Sequence, residues 1–105
     1  MTVRTLAGHE VEVNDEGFLT DSSEWSPDVA EALAAEEGLA PLSERHWTVL
    51  SYCREDAAEK GEAPGLRRIS KNSGVGMKEL YKLFPDGPGK LAAKVAGLPK
   101  PKACI

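Results

Sequence analysis

The sequence predicts a mainly α protein with a small β element: a compact orthogonal helical bundle with a helix-turn-helix-like element, an N-terminal β-hairpin and an extended C-terminal arm. Three observations carry that expectation. Residues 1–20 hold short β-favouring runs broken by turn residues, residues 26–97 hold apolar patterns of helical period with their own start and stop signals, and residues 98–105 hold two prolines and a penultimate cysteine. At 105 residues the chain, 1–105, is a single domain with a modest core, too short for a core plus a large enclosed active-site cavity. A carrier or adaptor is expected before a self-contained metabolic enzyme.

Val3 to Leu6 and Val11 to Val13 favour strand, with Ala7-Gly8-His9-Glu10 between them, and Asn14-Asp15-Glu16-Gly17 turns the chain again before Phe18-Leu19. So short a hairpin cannot stand alone, and Phe18, Leu19 and Trp25 should pin it to the helices. Ser26-Pro27-Asp28 starts a helix: serine caps the orphan amides, proline suits the first helical position and aspartate faces the positive dipole end. Gly38 ends it. Ser43-Glu44 starts a second helix through Trp47, Leu50, Cys53 and Ala57 towards Gly61, in which Cys53 shares the face of Leu50 and reads as a buried structural thiol. His46, in its first turn, reads as a surface or capping residue, and His9 as a turn residue.

A third helix is expected from Pro64 to Ser70 and a fourth from Met77 to Phe84, around a turn at Gly74-Val75. This stretch has the layout of a helix-turn-helix, in which Met77, Lys78 and Lys82 would meet bases and Arg67, Arg68 and Lys71 phosphates. The structural reading of the same residues puts Ile69, Val75, Leu80 and Leu83 inside a small core. Pro85-Asp86-Gly87-Pro88-Gly89 breaks the chain, and Lys90 to Ala96 forms a last helix stopped by Gly97, with Leu91 and Val95 on one side and Lys90 and Lys94 on another.

The net charge of −4 conceals a division: residues 1–65 carry 4 Lys/Arg against 15 Asp/Glu, and residues 66–105 carry 9 against 2. Lys90, Lys94, Lys100 and Lys102 surround the tail cysteine in sequence, a setting that draws an acidic partner and favours thiolate, while the terminal carboxylate of Ile105 opposes thiolate at similar range. No apolar run suits a membrane span, the N-terminus lacks a signal-peptide layout, and two cysteines make no disulfide framework, so the expected location is cytoplasmic, with no membrane partner. Two cysteines and two histidines assemble no local zinc set, and neither a metal nor a cofactor is expected. No Cys-x-x-Cys, Gly-x-Ser-x-Gly or phosphate-binding glycine loop is present.

The tail is the feature least like ordinary packing. In Gly97-Leu98-Pro99-Lys100-Pro101-Lys102-Ala103-Cys104-Ile105 the prolines forbid regular helix, Gly97 releases the preceding helix, and residues 98–105 span at most about 25 Å when extended. A stiff Pro-x-Pro arm loses few conformations on docking in a groove. Cys104 is therefore the candidate reactive residue, a thiol presented to the active sites of other proteins for sulfur exchange, with Gly97, Leu98, Pro99, Lys100, Pro101, Lys102, Lys90 and Lys94 as the partner-binding set.

Gly17-Phe18-Leu19, Ser22-Ser23-Glu24-Trp25-Ser26, His46-Trp47, Leu80-Tyr81-Lys82-Leu83-Phe84-Pro85-Asp86-Gly87-Pro88 and Lys94-Val95-Ala96-Gly97-Leu98-Pro99-Lys100-Pro101, closing on Cys104, resemble the DsrC/TusE family: gamma-subunit-like proteins of dissimilatory sulfite reductase and their relatives in tRNA thiolation. The resemblance covers nearly the whole chain. It implies a small helical fold with an N-terminal hairpin and a mobile arm, 98–105, whose penultimate cysteine carries sulfur as a persulfide. In the family, members serving sulfite reductase have a second cysteine at the position of Ala93, so the match here is to the relay that thiolates the tRNA wobble uridine. The implied partners are a TusBCD-like sulfur donor complex and a tRNA thiouridylase, with any tRNA contact weak or indirect. Dissimilatory sulfite reductase or a sulfur oxidation enzyme is the alternative partner, and a helix-turn-helix DNA-binding regulator is the alternative of another class.

Overall fold

The computed structural model describes residues 2–100. Two strands, β1 (Thr2–Leu6) and β2 (His9–Val13), open the chain, followed by helices α1 (Pro27–Glu36), α2 (Glu44–Lys60), α3 (Leu66–Asn72), α4 (Met77–Leu83) and α5 (Pro88–Val95). The strands pair antiparallel with Thr2 opposite Val13 and Leu6 opposite His9. The turn is thus only Ala7-Gly8, shorter than the expected four residues, because both adopt positive φ (51° and 81°), a pairing whose twist matches that of the strands. This register puts Leu6, Val11 and Val13 on one buried face.

The Asn14 Oδ1 accepts the N–H groups of Glu16 and Phe18, at 2.9 and 3.0 Å, and so closes the loop that returns Leu19 to a bridge with Val13. Phe18 and Leu19 are buried, and they pin the hairpin as the sequence suggested.

Each long helix begins where its cap dictates. Ser26 Oγ accepts from the Val29 N–H ahead of α1, with Pro27 in the first turn, and Ser43 Oγ accepts from the His46 N–H ahead of α2. α1 buries Val29, Ala30, Leu33 and Ala34. The third helix starts at Leu66, after Gly65 as an extended N-cap, and the last starts at Pro88, whose fixed φ suits a first turn.

α5 is the centre of the molecule, packing against each of the other four helices. Its Leu91, Ala92, Ala93 and Val95 are all buried, and the alanines let neighbouring backbones come close. α3 and α4 form the expected helix-turn-helix, with Ile69, Val75 and Leu80 fully buried and Leu83 partly so. No helix among the described residues is long and apolar enough to cross a membrane.

Candidate functional site at the root of the C-terminal arm

The end of α5 sets where the tail begins. Gly97 takes φ of 72°, its N–H donates to the Lys94 carbonyl at 3.1 Å, and the Leu98 N–H reaches back to the Ala93 carbonyl at 2.9 Å. This is a Schellman termination, which draws the residue after the glycine onto the helix that it ends. Leu98 is accordingly 4% exposed and belongs to the core, so the arm expected from residue 98 can begin no earlier than Pro99. Pro99 and Lys100 are exposed, while Pro101, Lys102 and Cys104 lie outside the described residues.

Two side chains from distant parts of the sequence close over this root. The Trp25 Nε1–H donates to the Val95 carbonyl at 2.8 Å, and the indole lies so close to Gly97 that a β-carbon there would sit 2.4 Å from Trp25 Cδ1. Arg54 stacks on the indole with Cζ 4.2 Å from the ring centroid, donating Nη1–H to the Ala96 carbonyl at 2.8 Å and Nη2–H to the Ser22 carbonyl at 3.3 Å. Burial pulls Arg54 below the ordinary guanidinium pKa. Consecutive carbonyls of the last turn, which a helix end leaves without intrahelical partners, thereby gain donors. Beside them a groove of about 220 Å³ is lined by Ser22, Arg54, Ala57, Ala58, Leu98 and Pro99.

Of the lysines expected to form a free basic field, the three among the described residues are paired. Lys100 Nζ lies 3.1 Å and Lys90 Nζ 3.8 Å from Glu16 Oε2, and Lys94 Nζ lies 3.0 Å from Glu37 Oε2. Folding brings the loop after β2, through Glu16, and the end of α1, through Glu37, against these lysines, so part of the charge division along the sequence is neutralised in space. Glu16, Phe18, Glu37, Asp86, Lys90 and Lys94 line a cleft of about 200 Å³ there.

Cys53 is fully buried on α2, as expected. Burial, and then the nearby Asp56 charge, push its thiol up to about 12, which keeps it protonated at neutral pH. Arg68, read from sequence as a phosphate contact, instead bonds Asp56, a buried carboxylate that also accepts from Tyr52 Oη at 3.4 Å. Burial decides the difference, since Asp56 on α2 needs a cation. Met77, Lys78 and Lys82 are exposed on α4.

His46 does more than a surface residue would. Its Nδ1 accepts the Ser43 N–H at 3.1 Å, completing a capping box with histidine in the place usually held by glutamate or glutamine. That leaves the proton on Nε2, which donates to the Leu83 carbonyl at 2.9 Å, while the ring meets Phe84 edge-on at 5.1 Å. The Ser-x-x-His spacing was the available signal. His9, expected in a turn, is the exposed first residue of β2.

Ala93, the position where a second arm thiol would stand, is buried on α5 directly beneath the termination. With this geometry in view, comparison with known proteins is decisive: the family described as DsrC like protein matches residues 5–105. The chain belongs to the DsrC-like family. It is 41% identical over 101 residues to the sulfite reductase, dissimilatory-type subunit gamma, of Nitratidesulfovibrio vulgaris, covering 96% of each chain. It is 42% identical over 105 residues to sulfurtransferase TusE of Escherichia coli O6:H1, covering 93% of this chain and 95% of that one. The solution structure of Allochromatium vinosum DsrC superposes with a TM-score of 0.83 at 35% identity, covering 99% of this chain and all of that one. The DsrC-like motif residues now have physical places: Phe18 and Leu19 hold the hairpin, Trp25 and Gly97 interlock, and His46 ties α2 to the end of α4.

Proposed function

We propose that this protein is a sulfur carrier that accepts persulfide sulfur on Cys104 and hands it to a partner enzyme, most directly in the relay that forms 2-thiouridine at the tRNA wobble position. The observation that carries the reading is the state of the other cysteine. Cys53 is sealed in the core with a thiol pushed up to about 12, so exchange chemistry at neutral pH falls to Cys104. Kinship to both a sulfurtransferase and a sulfite reductase subunit supports sulfur handling in general. Ala93 favours the relay, because a carrier that only receives and passes one sulfur needs one thiol, whereas closing the arm through sulfur needs two.

The transfer is a thiolate displacement. The Cys104 thiolate attacks the outer sulfur of the donor persulfide, the donor sulfur–sulfur bond breaks, and the donor cysteine leaves as a thiolate. One sulfur moves and nothing is oxidised overall. A TusBCD-like complex is the donor in this reading and a tRNA thiouridylase the acceptor. The test is mass spectrometry after incubation with a cysteine desulfurase relay: Cys104→Ser abolishes the added sulfur and Cys53→Ser retains it, whereas sulfur found on Cys53 alone overturns the assignment.

A further inference from the structure

The root of the arm is built more firmly than a chain terminus requires. Trp25 and Arg54 come from the segment before α1 and from the middle of α2, and both aim donors at the carbonyls of residues 95 and 96, the last before the terminating glycine. Arg54 also ties Ser22 to this point and stacks on the very ring that fills the space above Gly97. Leu98 is held beneath. The backbone direction at Pro99 is thus fixed from three sides: a ring against Gly97, a guanidinium over the ring, and an apolar side chain in the core.

We propose that Trp25 and Arg54 are positioning residues for sulfur transfer, clamping the arm root so that the backbone at Pro99, beside the groove it shares with Arg54, is held in one direction. The proposal rests on the carrier reading. Neither residue enters the chemistry of the thiol. What they contribute is orientation, since a thiol delivered into a partner's active site reacts at a rate set by how often it arrives in reach, and a loosened root spreads it over many directions. A small disulfide in solution finds the thiol from any side and is indifferent to the clamp.

The experiment compares wild type, Arg54→Gln, Arg54→Lys and Trp25→Phe in two readouts. Amide relaxation of Leu98 and Lys100 reports order at the root, with Val49 and Leu50 as core references. Two rates are measured: sulfur transfer to Cys104 from a TusBCD-like complex loaded by a cysteine desulfurase, and, separately, mixed-disulfide formation when the Cys104 thiolate attacks a small aromatic disulfide and releases the aromatic thiolate. Arg54→Gln and Trp25→Phe are expected to raise motion at Leu98 and Lys100 alone and to lower the protein-donor rate about tenfold, with the small-disulfide rate kept within about twofold. Arg54→Lys, which keeps one donor and the cation over the ring, is expected to recover part of the loss. Unchanged motion at Leu98 and Lys100, or an equal fall in both rates, overturns the positioning role while leaving the carrier intact. Absence of sulfur on wild-type Cys104 from the protein donor overturns the carrier reading and the proposal with it.

Discussion

Of the two cysteines, Cys53 is the one whose surroundings are described, and they suppress its chemistry. Its thiol has lost water on every side, and Asp56 adds a negative charge one helical turn away, so the folded state holds it protonated up to about 12 against an ordinary value near 9. The pKa is raised on folding. Its contribution to stability is therefore fully present below about pH 9 and is lost as pH rises from there towards 12, with a slope of at most about 1.4 kcal/mol per pH unit. Lysines and tyrosines titrate in the same range, so the measurement is a difference: urea unfolding of wild type and of Cys53→Ala across that window, in which the wild type loses stability faster. At about pH 8, iodoacetamide should alkylate one cysteine in the native protein and both in denaturant. Native alkylation of Cys53 would contradict its sealed state.

His46 shows how one residue can join two elements. It caps α2 through Nδ1 and holds the end of α4 through Nε2, across 37 positions of sequence. His46→Ala is expected to lower stability by about 1–2 kcal/mol, the sum of a lost cap and a lost hydrogen bond to a part-buried carbonyl, read from the urea midpoint. His46→Gln can still accept the Ser43 N–H and should recover part of it. A midpoint for His46→Ala equal to wild type would remove the joint from the account. The same residue marks what sequence could reveal. Caps, apolar period and breakers are local, and they located all five helices, the hairpin and the buried face of Cys53. The Leu83 contact, the Trp25 bond to residue 95 seventy positions away and the burial of Leu98 depend on chain segments meeting in space, and no local pattern encodes them. Charge misled for the same reason: Lys90, Lys94 and Lys100 are basic in sequence, but beside Glu16 and Glu37 they form pairs.

Taken as a whole, the molecule is a scaffold around α5 whose far end is the root of the tail. The loop after β2 pairs with Lys100 through Glu16, and Trp25 and Arg54 grip the turn before it, so the chain is attached to the body as far as Lys100. In the proposed carrier role, residues 101–105 are the span beyond that attachment. Fully extended, they span about 17 Å, against about 25 Å counted from Gly97. The Lys100 pair is exposed and worth at most about 1 kcal/mol, so a partner could trade it for extra length, but the Trp25–Arg54 grip resists such trade. Reach is thus a property of the whole fold, and shortening the tail should act on it directly. Deleting Pro101 and Lys102 removes about 7 Å of span, a large share of what is left. Acceptance of sulfur from a TusBCD-like complex loaded by a cysteine desulfurase should fall about tenfold or more, while reaction of Cys104 with a small disulfide stays close to wild type. Restoring two residues as Gly-Gly should return length without the stiffness or charge of Pro-Lys, and recovery of the protein-donor rate would identify span as the controlling quantity. An equal loss in both reactions would instead place the effect on the thiol itself, through the missing Lys102 charge.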